Sequence, residues 1–289
     1  MPSQNHYPEG TRSSDGSDAR GAVRSRRALL FLLLAAPLLL GSAAPAQELR
    51  VAAAADLQYA MADLTASFAH QTGTKVVVTY GSSGNFFAQL QNGAPFDLFF
   101  SADLDYPQKL EALGLTEPGT LSPYALGRIV LWLPPNSKID VSRQQWNALL
   151  DPAIQKIAIA NPEHAPYGRA AVAALKAAGF YDRVQGKLVF GENISQAAQF
   201  VQSGTAQAGI VALSLAVSPA MKDGKYWQIP GDLHPPLRQA AVVLKSSAKK
   251  DRARAFLAFL KTPPARAIFS RFGFLPPDAA TPPLFSQPH

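Results

Sequence analysis

Residues 81 to 85 read Gly-Ser-Ser-Gly-Asn, between the strand-like run KVVVTY and the helix-like run NFFAQLQNG. Small hydroxyl residues at a helix start can do two kinds of work. Their side-chain oxygens can accept from the exposed backbone N–H groups of the first turn. Alternatively, the N–H groups and hydroxyls together can hold an anion against the positive end of the helix dipole. On spacing alone capping is the simpler reading, and both stay open. Three other junctions have the same character: AAADL at 53–57, APYGR at 165–169 and ENISQ at 192–196. In α/β sheets, ligands sit where strands give way to helices. One such junction is a cap; four drawn from two parts of the chain could converge on one anion.

Other chemistries find little support. Gly81-Ser82-Ser83-Gly84 is not the five-residue nucleophile elbow, and no His/Asp pair is placed in the sequence to activate either serine. His70, His164, His234 and His289 lie far apart, without HxxxH or HxH spacing for a metal, and read as surface or loop residues. There is no GxGxxG or Walker loop. Glu163 and Glu192 could act as acid or base, but nothing pairs with them locally. Trp132, Trp146 and Trp227 read as packing residues.

The elements that must position the four junctions alternate along the chain. LRVAAAA reads as a buried strand, followed by a helix on which Leu57, Met61, Leu64 and Phe68 form one apolar face. Asp56 stands where its N-cap belongs and Gly73 where its C-terminal glycine belongs. KVVVTY, FDLFFSA, GRIVLWLP, IQKIAIANP, KLVFGEN, AQAGIVALS and RQAAVVLKSS read as further strands, with helices between most of them. Two closing helices are broken at Pro263-Pro264, and the Pro-rich tail is irregular. This is the pattern of an α/β fold with crossover helices and mixed sheets.

The chain of 289 residues carries 27 Lys and Arg against 20 Asp and Glu, a formal charge of +7. The basic residues are scattered and not interleaved with aromatics, so nucleic acid is not implied. A modest positive charge assists capture of small anions. Basic residues before the apolar run from Ala28 to Leu40, then Ala44-Pro45-Ala46, have the form of a secretory signal peptide. The run is short of the ~20 residues that a membrane helix needs. Residues 1–46 are therefore expected to be a leader with a polar extension. The mature chain is expected to start near Gln47 as a soluble periplasmic protein. There is no cysteine, so neither a disulfide nor a lipid-anchored cysteine is expected.

Five stretches, in order and spacing, carry a resemblance over essentially all of residues 48 to 277. They are VAAAADL, YGSSGNFFAQLQNGAPFDLFFSADLDYPQKL, IAIANPEHAPYGRAA, GENISQAAQFVQSGTAQAGIVALS and FLAFLKTPPARAIFSRFGFLPP. The chain resembles the periplasmic molybdate-binding proteins of ABC transporters. The resemblance implies a type II periplasmic-binding-protein fold, two-lobed, with mixed sheets flanked by helices and a ligand cleft between the lobes. One lobe would comprise residues 47–126 plus 237–289 and the other 127–236. It further implies an oxyanion held by backbone N–H and hydroxyl groups, without a cation. Residue by residue, the family's contacts fall on Asp56, on Ser83, on the backbone N–H of Tyr167 and on that of Ile194. The first of these is usually Ser, Thr or Asn. A tyrosine whose hydroxyl reaches the anion in many members is Ala212 here.

The expected function is capture of molybdate or tungstate, with no catalysis, no cofactor and no direct metal-ion ligand. The expected partners are the anion and a membrane permease of an ABC transporter, with the protein acting as a monomer. Other readings stay open: binding of another oxyanion or a small organic anion, a hydrolase using the helix ends as an oxyanion hole, or a sensing domain. For Asp56, two arrangements avoid repulsion of a dianion. In the favoured one its carboxylate turns away to cap residues 58 and 59; in the other it accepts from a protonated ligand.

Overall fold

A computed structural model describes residues 48–279. The leader expected at 1–46 lies outside the described residues. No described helix is long and apolar enough to cross a membrane.

The chain opens with β1 (Leu49–Ala54), a 3-10 turn at Ala55–Leu57 and α1 (Gln58–Thr72), then β2 (Val76–Gly81) and α2 (Ser83–Gln91). β3 (Leu98–Ser101), α3 (Asp105–Ala112) and β4 (Ser122–Gly127) follow. A second run holds β5 (Ile129–Leu133), α4 (Val141–Gln144), β6 (Ile157–Ala160), α5 (Pro166–Ala177) and α6 (Tyr181–Val184). It continues through β7 (Leu188–Gly191), α7 (Ile194–Gln202), β8 (Ala208–Ala212), α8 (Leu213–Ala216) and β9 (Lys225–Gln228). The chain closes with β10 (Leu237–Val243), α9 (Lys250–Phe259) and α10 (Pro263–Arg271).

Ten strands make two five-stranded mixed sheets, in the orders β2-β1-β3-β10-β4 and β7-β6-β8-β5-β9. The chain leaves the first sheet after Gly127, enters the second at Ile129, leaves it after Gln228 and returns at Leu237. Each sheet with its helices forms one lobe.

Sequence patterning explains the layers. On α1, Met61, Leu64 and Phe68 are buried one turn apart, and Phe68 meets the rings of Phe256 and Phe259 from α9. The helix stops at Gly73, whose φ of 69° is the left-handed conformation favoured at a helix end. The second lobe packs around fully buried β5, β6 and β8. Trp146 meets Trp227 edge to face at 5.3 Å between centroids, so both are packing residues as expected.

The structure corrects one strand boundary. GRIVLWLP is not one strand: β4 ends at Gly127 and β5 starts at Ile129 in the other sheet. The missed strand β4 carries Pro123, which lacks a ladder donor, and proline is tolerated there because β4 is an edge strand. Edge strand β9 was missed as well; four residues with little burial give a weak period.

Register places the site. β1 and β2 are parallel and end level, with Ala54 opposite Gly81. In the other sheet β6 and β7 are parallel and end level, with Ala160 opposite Gly191. Each lobe thus presents two strand ends side by side, and the four junctions noted above follow those ends.

Candidate functional site

The four junctions meet around one small cavity of about 10 Å³. It is lined by Ala54–Asp56 and Gly81–Ser83 with Ala102 from the first lobe, and by Ala165–Tyr167, Asn193 and Ile194 from the second. No Lys or Arg is among these residues. Any negative charge held here must be met by backbone N–H and hydroxyl groups.

Ser82 and Ser83 divide the two roles that the sequence left open. Ser82 is the N-cap of α2, and its Oγ accepts from Asn85 N–H at 3.4 Å. Ser83 is the first helical residue and is buried. Its Oγ accepts from Ala102 N–H at 3.0 Å, which leaves the hydroxyl proton to donate elsewhere. The first N–H groups of a helix have no intrahelical partner. Among the described residues no acceptor is found for the N–H of Ser83, Tyr167 or Ile194.

The second lobe is built the same way. Pro166 occupies the first turn of α5, where a missing N–H costs nothing, and Tyr167 follows it. Asn193 caps α7 by accepting from Ser195 and Gln196 N–H at 3.0 and 3.1 Å, leaving the N–H of Ile194 at the cavity. Ser83, Tyr167, Ile194 and Asp56 are all brought to this one cavity. Ala212, at the end of β8, is fully buried and does not line it.

Asp56 differs from its expected arrangement. It caps neither the 3-10 turn nor α1, since no side-chain cap bond forms at either start. Its carboxyl instead points across the lobes. Oδ2 accepts from the Tyr167 hydroxyl at 2.9 Å and from Gln239 Nε2 at 2.6 Å, while Oδ1 has no partner. Capping lost because Asp56 sits inside the tight turn rather than before it, and two donors from other elements reach it there. Burial pushes the Asp56 carboxyl up to about 6, against the opposing pull of the Gln239 and Tyr167 hydrogen bonds. The Tyr167 hydroxyl is raised well above its ordinary value by burial and by the neighbouring Asp56 carboxylate.

Direct contacts close the seam between the lobes. Gly84 N–H donates to His164 O at 2.9 Å. A Cβ on Gly84 would lie 2.6 Å from that oxygen in the opposite lobe and 2.6 Å from the Tyr106 hydroxyl in its own, so glycine is required from both sides. Ser195 Oγ donates to Gln58 Oε1 at 2.9 Å, and Asn85 Nδ2 donates to Glu192. Arg169 pairs with Asp103 at 2.6 Å and lies over the Tyr106 ring. His164, expected as a loop or surface residue, belongs to this seam: its Nδ1 is 2.9 Å from Ser82 Oγ. Its Nε2 is 3.7 Å from Glu192, too far for an orienting hydrogen bond.

The residues from Leu49 to Leu275 match the family model described as bacterial extracellular solute-binding protein. The chain belongs to that family. Among relatives of this solute-binding protein, it is 41% identical over 241 residues to the molybdate-binding protein ModA of Azotobacter vinelandii. That alignment covers 82% of this chain and 93% of the relative. It is 38% identical to the molybdate-binding protein ModA of Rhodobacter capsulatus, with the same coverage of 82% and 93%. The solved structure of the Azotobacter vinelandii periplasmic molybdate-binding protein superposes with a TM-score of 0.74 at 36% identity, over 78% of this chain and 98% of that one.

Sequence reasoning on the solute-binding protein missed Gln239, Ala102 and the seam role of His164. Gln239 lies 183 residues from Asp56, so no local motif joins them. One signal was available: a polar residue facing inward on the otherwise apolar strand RQAAVV demands a buried partner. Among the described residues no cluster of three or more His, Cys, Asp or Glu could hold a metal ion.

Proposed function

We propose that this protein captures molybdate or tungstate outside the cytoplasm and delivers it to the membrane permease of an ABC transporter. The observation that carries the reading is the meeting of four strand-to-helix junctions, two per lobe, at one cavity without a cation. Helix-end N–H groups and a free hydroxyl proton suit the oxygens of a tetrahedral dianion, and water exclusion strengthens each contact. The names of the Azotobacter and Rhodobacter relatives support the choice of anion. In this reading Asp56, Ser83, Tyr167 and Ile194 meet the anion's oxygens, with no direct bond to the metal atom and no cofactor. The protein is exported by its N-terminal segment and acts as a periplasmic monomer.

The site performs no chemistry in this reading. Ser82 Oγ accepts from the helix N-terminus, and His164 beside it lies 3.7 Å from Glu192, beyond an orienting hydrogen bond. Calorimetry of the mature chain against molybdate, tungstate, sulfate and phosphate tests the reading. Dissociation constants below about 1 μM, or about −8 kcal/mol, are expected for the first two. Saturable binding of sulfate or phosphate alone would replace them, and turnover of acyl or phosphate esters would restore the hydrolase reading. N-terminal sequencing of the exported protein should begin near Gln47.

A further inference from the structure

The buried Asp56 carboxyl has one oxygen engaged by two donors and the other left open. Both donors, the Tyr167 hydroxyl and Gln239 Nε2, converge on Oδ2, which leaves Oδ1 free to carry a proton. Oδ1 is buried and has no partner among the described residues, and no Lys or Arg side chain bonds to either oxygen. The residue lines the same cavity as Ser83 and Ile194. A second negative charge placed there would meet a poorly screened first one, because the Asp56 carboxyl is buried and no Lys or Arg lines the cavity.

We propose that Asp56 binds the oxyanion as a neutral acid, donating from Oδ1 to an anion oxygen, so that capture takes up one proton. The proton comes from solvent, adds to Oδ1 as the anion enters and returns to solvent when it leaves. This deepens the oxyanion reading above and rests on it. It also makes Asp56 a specificity residue: the site offers one more donor to a fully deprotonated anion and loses it when the acid ionises.

The surroundings leave Asp56 as the group that responds. Tyr167 from α5 and Tyr124 from β4 are both raised far above neutrality by burial, and stay protonated. β2 brings Tyr80, whose hydroxyl is held at Gln58 O. β10 brings uncharged Gln239, α8 brings the Ser214 hydroxyl to Asp56 O, and α7 carries no charged side chain. Farther out, Asp103 is paired with Arg169, and Arg128 is held at Gly273 O and Gln228. His164 at the seam, 2.9 Å from Ser82 Oγ, is the internal rival to be tested. Ligand-free Asp56 titrates at about 6, and a bound dianion moves it higher still. Affinity is therefore flat below about pH 6 and falls as pH rises above it.

Calorimetry of the mature protein with micromolar molybdate, in buffers of differing ionisation enthalpy, reads this directly. Wild type should take up about one proton per anion at pH 8, with Kd weakening close to tenfold per pH unit from 6.5 to 8.5. Asp56→Asn, which keeps a donor without a charge, should bind with a pH-independent Kd and no proton uptake. Should that variant fail to fold, His164→Gln decides in its place: uptake of one proton retained there supports Asp56, and uptake lost there overturns the proposal. Binding with no proton uptake and a flat pH profile overturns the proposal and leaves the oxyanion reading standing. Proton uptake that persists in Asp56→Asn assigns it to His164 and also overturns the proposal. No heat with molybdate or tungstate at any pH removes both.

Discussion

Ser83 lends its oxygen to Ala102 and keeps its proton, whereas Ser82 lends its oxygen to the helix. Substitution should separate the two. Ser83→Ala should weaken molybdate binding ten- to over a hundredfold, the loss of a charge-assisted hydrogen bond worth about 1.5–3 kcal/mol. Ser82→Ala should instead lower stability by about 1 kcal/mol, the usual cost of a lost cap, with a smaller change in Kd. Titration and urea melts of both variants check the contrast, and equal effects on Kd would contradict it. Asp56 predicts a pH effect on stability. Its pKa of about 6 in the fold lies above the ordinary 3.8, so the folded state holds its proton longer than the unfolded chain. The resulting stability is present at low pH and is lost as pH rises through about 6, after which the buried charge costs roughly 3 kcal/mol. In ligand-free protein, Asp56→Asn should therefore gain on wild type by up to that amount between pH 4 and pH 8. Urea denaturation at both pH values measures it, and an unchanged gap would count against a buried ionised carboxyl. The serine pair and the misfit of Asp56 were legible in the sequence. The division of labour between the serines was not, because it depends on the N–H of Ala102, just past β3 and 19 residues away. Nor was the fate of the Asp56 carboxyl, which Tyr167 and Gln239 decide from other elements.

At the scale of elements, helix α2 matters through its N-terminus, where Gly84 touches the opposite lobe. Gly84→Ala inserts a methyl group 2.6 Å from His164 O and from the Tyr106 hydroxyl, and the lobes must separate to admit it. Hydrogen bonding within each sheet is untouched. The variant should melt as a folded protein and bind molybdate at least tenfold more weakly. Circular dichroism and titration together check this, and wild-type affinity would show that the seam adapts. The glycine lets the other lobe approach. Helices were legible where one face carried large apolar residues, as Met61, Leu64 and Phe68 do on α1. The central strands were legible as continuous apolar runs, because both their faces are covered. The edge strands β4 and β9 were not, since an edge tolerates Pro123 and the exposed residues of KYWQ.

At the scale of the molecule, two crossovers join lobes that meet through Arg169, Asp103, Gln58 and Ser195 as well as around the cavity. Bonds that exist only when the lobes touch govern how long a ligand stays, more than how fast it arrives. Arg169→Ala should thus speed molybdate release severalfold in stopped-flow displacement, with little change in the association rate. The effect is modest because the guanidinium is partly exposed. An altered association rate with unchanged release would contradict a latch. That the chain builds two α/β layers was legible from the alternation of strand and helix patterns. That the layers touch through backbone at Gly84 was not, since packing between distant segments leaves no period in a sequence.

The register at the crossovers has a consequence for modularity. Everything from Ile129 to Gln228 belongs to one sheet, and its two extremities run side by side, with Val130 opposite Gln228. Just outside them Gly127 stands opposite Leu237 in the other sheet. The second lobe is therefore a graft on a single forked stem. It can be excised, exchanged with that of a relative, or split from its host by a circular permutation, without cutting any strand of either sheet. Heredity and engineering can vary the two walls of the cleft independently, one wall per graft.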